Sequence, residues 1–479
     1  MVNTDNDKIV IIGAGPAGLS CAFELSKNKD NLFIIEKDAQ VGGLAKTLKF
    51  ENNNDLYRTD IGPHRFFSKN KYLYKLIANL LGDDWLLINR KTRQYIDGKF
   101  YDYPINAIQA FLNIGPIKSL TIVLSYLKAF GQYKILKKPI NNFNDYVVAN
   151  FGLKLGELNM LNYTEKIWGL PCSQIHPDWA KQRIKGLNLL SALKNALLKK
   201  TNGPKTLIDS FYYPKYGTGQ IYQAMAKKIK ERGNKIFTQS QPTKIRHQNF
   251  KITQIEFDIN GQKQNLSPQY LISSIPISQF INLLNPQPPA EIIKTVQKLK
   301  WRAQIYLFIT VNKPKITDDN WIYIPDKKIP FARLAEMKNF SQQMAPKNKT
   351  SLLVEYFVNT DDIIWQKSAK ELYQLTIKYL AELNLLTAKE VDNYYLLKRT
   401  HVYPVYDLDY PTNIKIIKNY LNQFTNLYYL GRPGRFQYTN QDHSLEMGIL
   451  TAKNILENKH YDLDQIGSEN EYFEQGNIE

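Results

Sequence analysis

A chain of 479 residues is too long for one ordinary core and reads as two or three interleaved domains. Hydrophobic residues at 43% and charged residues at 22% give the balance of a globular protein and exclude a disordered or fibrous one. The 63 Lys and Arg against 44 Asp and Glu leave a net charge of +19, a field that selects anionic partners. No Arg-rich tail and no nucleic-acid motif accompanies it, so the expected partners are phosphorylated small molecules or an acidic membrane surface.

The first element is the run "KIVII" at 8–12, short, apolar and β-branched, followed by "GAGPAG" at 13–18 and the helically spaced "LSCAFELSK". "LFIIE" at 32–36 reads as the second strand and ends in Glu36. Strand, glycine turn and helix in this order make a dinucleotide site. Gly13 permits the tight turn, Gly15 lets the backbone approach a pyrophosphate at the helix N-terminus, and Gly18 lets the helix pack on the sheet. Glu36, about twenty residues on, is placed to accept a hydrogen bond from a ribose 2′-OH, which disfavours a 2′-phosphate. The first apolar run thus reads as a strand and not as a signal peptide. No uncharged run has the length of a membrane span. Cys21 and Cys172 have no metal or redox spacing, nor do the histidines form a ligand set, so no metal site is expected. These features place the protein in the cytoplasm, with peripheral membrane contact left open.

Farther along, "TDIGPHRFFSKN" at 59–70 follows a polar loop, and the Asp-Gly pair in "QYIDGKFYDYPI" at 94–105 predicts a hairpin turn. Residues 105–136 read as a helical pair with lysines between Ile, Leu and Phe. A core helix pair is the preferred reading there, and a membrane-surface patch the minority one. "YTEKIWG" at 163–169 reads as a polar aromatic loop with neither helix face nor strand alternation. A Lys- and Leu-rich helix is expected over 178–201, a Gly/Pro turn over 212–219 and a helix over 220–232. Strands are expected at 235–239, 243–258, 263–275, 301–312, 351–358 and 425–432, a terminal helix at 444–457 and a loosely held acidic tail thereafter.

The doublet Gly42–Gly43 just after the acidic strand resembles the second signature of the FAD-binding amine oxidase superfamily, and on that resemblance the expected cofactor is FAD. Nearly the whole chain except the tail resembles one branch of it, UDP-galactopyranose mutase and the related protoporphyrinogen-oxidase-like flavoproteins. The resemblance rests on four segments in the family's order: "GPHRFFSKNKYL", "YTEKIWG", "IPFARLAEMKNF" and "GRPGRFQYTNQDHS". It implies an α/β fold: a Rossmann-like FAD-binding domain of the glutathione-reductase type, with an interleaved α+β substrate domain and a helical insertion. The expected pieces are 1–75, 205–280 and 420–460 for the FAD domain, 76–204 and 281–419 for the substrate domain, and 461–479 for the tail.

Carried over by position, the resemblance puts Gly62 and His64 against the flavin, with His64 a candidate for proton transfer. Trp168 would wall the substrate pocket with Tyr163 and Thr164 at its edge, and Arg183 would bind the substrate, four residues before the position of the family's mobile-loop arginine. Arg333 would pair with a substrate phosphate through its planar fork. Gly431 and Arg432 would contact FAD, and Asp442 would stand near the flavin or ribityl chain. Three mutase-type phosphate contacts are replaced, by Leu187, Phe436 and Thr439, with Arg435 and the lysines near 199–205 as substitutes. The expected activity is therefore an FAD-dependent oxidoreductase acting by hydride transfer at flavin N5. Its substrate would be a bulky, anionic, nucleotide- or lipid-linked sugar. The alternatives are a mutase-type, non-redox sugar ring isomerase using reduced FAD, and a non-catalytic flavin-bound membrane protein.

Overall fold

In the computed structural model, which describes residues 8–103, 113–183 and 210–467, the apolar run at the start becomes the middle strand of a parallel sheet. Ile9–Ile12 is fully buried and pairs on one side with Leu32–Ile35 and on the other with Tyr270–Ser273. Lys235–Phe237 and Leu427–Tyr429 complete the five strands at the two edges. Alternate residues of the middle strand serve two different cores. Ile9 and Ile11 face the helices Pro16–Leu25, Gly219–Glu231 and Gln441–Glu457, whereas Val10 and Ile12 face the layer beneath. Burial on both faces is why the strand is continuously apolar. The sheet is gathered from three distant stretches of chain, with the α/β Rossmann-like architecture of an FAD domain.

The layer beneath is a four-stranded sheet, Gln262–Leu266, Lys251–Ile259, Ser240–Gln248 and Leu284–Asn285 in spatial order, backed by the helices Ala290–Gln297 and Tyr410–Leu421. The expected single strand over 243–258 is a hairpin. Asn249 and Phe250 both take positive φ, 49° and 55°, and reverse the chain. The strand expected over 263–275 is likewise two, with a break at 267–269.

The second large sheet has seven strands, in the order Val391–Pro404, Trp301–Val311, Thr350–Val358, Arg333–Glu336, Trp321–Tyr323, Thr92–Ile96 and Lys99–Asp102. Its last two strands are the expected hairpin, with Asp97 and Gly98 at φ 51° and 79°. The 14-residue strand Val391–Pro404 was not expected; it is an edge strand, half-exposed along most of its length, and carries no clean alternation. A helical unit, Pro116–Phe130, Phe143–Phe151, Leu153–Leu158 and Met160–Trp168, packs beside this sheet.

Two expectations are corrected at the surface. The stretch expected as a core helix pair leaves Ile117, Leu120, Leu124 and Leu127 exposed. The presumed loose tail is docked as far as it is described, with Leu463 and Ile466 buried against the first core. No helix among the described residues is long and apolar enough to cross a membrane.

Candidate functional site

The turn Gly13–Gly15 feeds directly from the middle strand into the helix Pro16–Leu25. No side chain caps that helix, so its first N–H groups remain available to an anion. A Cβ at Gly18 would lie 2.0 Å from the Gly13 carbonyl oxygen, which fixes glycine there and brings the helix onto the turn. Glu36 is buried at the end of the second strand, where its Oε2 accepts from the Ala14 N–H at 2.7 Å and its Oε1 from the Asp38 N–H at 2.9 Å. The carboxylate therefore braces the glycine turn while still lining the cavity beside it. Gly42 donates to the Ala14 carbonyl, and Gly43 closes to 3.0 Å of Gly15 Cα when a Cβ is added, so the two glycine turns face each other with room only for backbone.

Gly13, Gly15, Glu36 and Gly43 line a cavity of about 570 Å³. Its walls also include Gln241 and Pro242, Ser274–Pro276, Arg399–His401, Gly431–Pro433, Asn440, Gln441 and Ser444, with His64 and Leu44 on one side. A cavity lined by a free helix N-terminus, facing glycine turns and an acidic residue fits FAD. Gly431 donates to Met447 Sδ, and Arg432 donates to the carbonyls of Thr439 and Val402 while lying 4.9 Å and 5.1 Å from the rings of Tyr403 and Tyr438. Asp442 is not part of the cavity wall. Its helix presents Asn440, Gln441 and Ser444, and Asp442 is buried where desolvation raises its carboxyl, beside His443 and Arg65.

His64 joins this cavity to a second polar cluster. Its Nε2 lies 2.9 Å from the Ile61 carbonyl and 3.1 Å from that of Leu44, so Nε2 carries the proton and donates to both. Burial, then the positive charges of Arg432 and Arg333, pull the imidazole down to about 4. It is neutral at physiological pH, and a proton-donating imidazolium is not available there.

Beyond it, Arg333 and Glu355 are directly opposed on neighbouring antiparallel strands. Arg333 donates from Nε and from Nη2, the latter at 2.7 Å, in a two-point contact with Glu355. Glu355 is fully buried and also accepts from Gln304 Nε2 at 2.7 Å, whose Oε1 accepts from Tyr306 at 2.6 Å. A Cβ at Gly62 would stand 3.2 Å from Glu355 Oε1, 3.7 Å from Arg333 Nη2 and 3.9 Å from His64 Nε2, which places Gly62 at the junction. Glu355, Gln304 and Tyr306 were missed by sequence reasoning. The available signal was a lone acid in the apolar run "SLLVEYFV".

"YTEKIWG" is not a loop. It is the second half of the helix Met160–Trp168, ended by Gly169 in the left-handed conformation at φ 66°. The Arg302 guanidinium lies against that end, donating to the carbonyls of Ile167 at 2.8 Å and Phe357 at 2.7 Å. A Cβ on Gly169 would fall 2.5 Å from its Cζ. Tyr163 faces the cluster, with its ring against Tyr323 at 5.4 Å and its hydroxyl in the field of Arg333. Thr164 is buried. Trp168 is 1% exposed among Trp179, Tyr403, Tyr406 and Tyr438, with no partner for its Nε1 among the described residues, so it backs the pocket from the core instead of forming an open wall.

Other candidates are located more simply. Arg183 ends the helix Asp178–Arg183, and its side chain, with Leu187 and the lysines near 199–205, lies outside the described residues. Phe436 is buried against Trp301, whereas Thr439 lines the cavity with its hydroxyl 3.4 Å from that of Ser444. Arg435 is held by Asp464 and the Tyr429 carbonyl and is not a substitute for the expected phosphate grip. Glu336 is structural: it accepts from the N–H groups of Ile316 and Thr317 and from Thr350.

Residues 16–410 match the family model described as flavin containing amine oxidoreductase. A crystal structure of reduced UDP-galactopyranose mutase superposes with a TM-score of 0.82 at 22% identity, covering 98% of each chain. A protoporphyrinogen-oxidase-like protein from Exiguobacterium sp. 255-15 superposes at 0.71 with 15% identity, over 95% of this chain and 99% of its own. In sequence, the chain is 23% identical over 171 residues to a protein of Klebsiella pneumoniae named "Probable UDP-galactopyranose mutase", 36% of this chain and 43% of that one. The chain spans less than half the length of the curated relatives it matches.

Proposed function

The chain belongs to the flavin containing amine oxidoreductase family and is an FAD-dependent enzyme, and from that premise we propose that it is a mutase-type, non-redox isomerase of a nucleotide-linked sugar. One observation carries the reading: the polar cluster beside the cavity holds a cation, Arg333, locked by Glu355 and ringed by tyrosines. Arg333, held on one edge by Glu355, has Nη1 and part of Nη2 left for a phosphate oxygen. Tyr163, Tyr323 and Tyr403 lie around it, and their flat rings with hydroxyl tips suit a polyhydroxylated ligand better than an apolar one.

The proton chemistry supports a reaction without net oxidation. Oxidising an alcohol by hydride loss requires a base for the hydroxyl proton. His64, with its value near 4 and its Nε2 proton committed to two carbonyls, is a poor base. Glu355 has its oxygens engaged by Arg333 and Gln304. When bound, the flavin supplies a nitrogen nucleophile in its reduced form and an electron sink in its oxidised form. The chain's own residues would grip the phosphate (Arg333), orient the sugar (Tyr163) and hold the glycine turn against the pyrophosphate (Glu36). The full-length likeness to a reduced mutase is consistent with this reading at the level of fold.

A second reading, net oxidation of another bulky anionic substrate, is favoured by one observation. Phe436 and Arg435 are turned into packing, and Thr439, which lines the cavity, offers no phenol, so the mutase-type phosphate grip is thinner here. Turnover of UDP-galactofuranose by dithionite-reduced enzyme, and not by oxidised enzyme, is the expected result. Anaerobic bleaching of the oxidised flavin by a sugar nucleotide would instead establish the second reading and remove the first.

A further inference from the structure

The helix Pro116–Phe130 and the turn after it carry a face that no described residue covers. Ile117, Leu120, Leu124 and Leu127 are 80, 60, 57 and 58% exposed and recur at spacings of three and four. Val123 and Phe130 widen the row, and Ile135 and Leu136 prolong it past the helix. At about 100° per residue the exposed apolar positions of the helix span an arc of roughly 140°. That arc is distinct from the one by which Tyr126 and Ala129 are buried against the neighbouring helices.

The charge along this stretch has one sign. Between Tyr103 and Asn144 the sequence contains Lys118, Lys128, Lys134, Lys137 and Lys138 and neither Asp nor Glu. Lys118 pairs with Asp97 and Lys138 stands 3.6 Å from Asp145. Lys128, Lys134 and Lys137 are exposed and have no acidic partner among the described residues.

We propose that this face docks the protein on an anionic lipid surface. The helix would lie in the plane of the interface, with the apolar row in the acyl boundary and the lysines among the headgroups. Fifteen residues reach about 22 Å along their axis, and the helix is not apolar enough to cross, so it lies on the membrane and does not span it. Charge argues against two other occupants. A second copy docked about a two-fold axis would bring the same lysines against each other. The chain's own segment 184–209 holds Lys185, Lys194, Lys199, Lys200 and Lys205 against a single acid, Asp209, and offers no complement. The inference does not rest on the reading of the catalytic site.

The test uses the flavin-loaded full chain and flotation with vesicles of phosphatidylcholine and phosphatidylglycerol in equal parts. Binding is expected to be at least about tenfold weaker on pure phosphatidylcholine and to fall with salt. The double substitution Leu124→Glu/Leu127→Glu is expected to weaken it by a similar factor with the flavin spectrum unchanged, since both side chains are already in water. Lys128→Glu/Lys134→Glu should reduce binding to anionic vesicles only. Failure of the wild type to float with anionic vesicles would overturn the proposal, as would equal flotation of the Leu double variant. A dimer by light scattering that this variant dissociates, without lipid binding, would assign the face to a second copy and equally overturn it.

Discussion

His64 is a case in which environment reverses the ordinary expectation for a residue type. Its imidazole titrates in the folded protein near 4, below its unfolded value of about 6.5. The unfolded chain therefore binds the extra proton first, and the residue's contribution to stability is present above about 6.5 and lost as pH falls toward 4. The loss is on the order of 3 kcal/mol. In denaturant titrations His64→Gln should flatten the stability profile in that window relative to the wild type; an unchanged slope would show that His64 is not the titrating group. Gly169 makes a second residue-scale prediction. Alanine there takes a left-handed conformation at a cost of about 1–2 kcal/mol, and its Cβ must also displace the Arg302 guanidinium. Gly169→Ala should lower the midpoint of thermal unfolding by several degrees. Residue identities at the cofactor end were readable because Gly13, Gly15, Gly18 and Glu36 act within one continuous stretch. Glu355 was not, because its meaning comes from the register that sets it opposite Arg333 on one side and Tyr306 on the other.

Helix Met160–Trp168 shows how an element is misread. The window "YTEKIWG" begins after Leu161, and it takes Leu161, Thr164 and Trp168 together to reveal the buried face. Nothing local indicates Arg302, 133 residues beyond Gly169, which accounts for the helix end. Replacing it by Met keeps the bulk and leaves the carbonyls of Ile167 and Phe357 without a donor, a change of about 1–3 kcal/mol per buried group. Arg302→Met is expected to speed amide exchange across 160–169 while leaving the strand Ile9–Ile12 protected; uniform loss of protection would mean that the helix end has no local role. The strand–turn–helix at the start was legible from its period switching from β to α, and the Asp-Gly hairpin from its turn chemistry. The edge strand Val391–Pro404 was not, because half-exposure on both faces removes the alternation by which strands are recognised.

At the scale of the molecule, one sheet draws on residues near 10, 35, 236, 271 and 428. The cavity is lined from several of those pieces, so FAD held there would tie them together, and saturating FAD at about one hundred times its dissociation constant should stabilise the protein by about 2.7 kcal/mol over the apo form, read by thermal scans at fixed protein concentration. Truncation after Lys459 tests the docked terminus. It removes the buried Leu463 and Ile466, about 1.5–3 kcal/mol each, and leaves Arg435 without Asp464. The truncated chain should melt markedly lower, whereas a dispensable tail would leave the melting temperature unchanged. The discontinuous architecture was inferable from where the strand-like runs fall; the docking of the terminus was not, because two apolar residues in a polar stretch have no period.

The strand Leu427–Tyr429 and the segment from Gly431 to Ser444 have a consequence for how the protein is made. They form the last edge of the sheet and one wall of the cavity that the glycine turn opens, more than four hundred residues earlier in the chain. While the ribosome is still adding those residues, the pyrophosphate turn has emerged but has nothing to close it, and Tyr270–Ser273 is an unpaired, apolar edge open to other strands. A cavity with this wall is complete only once the chain has been made as far as Ser444.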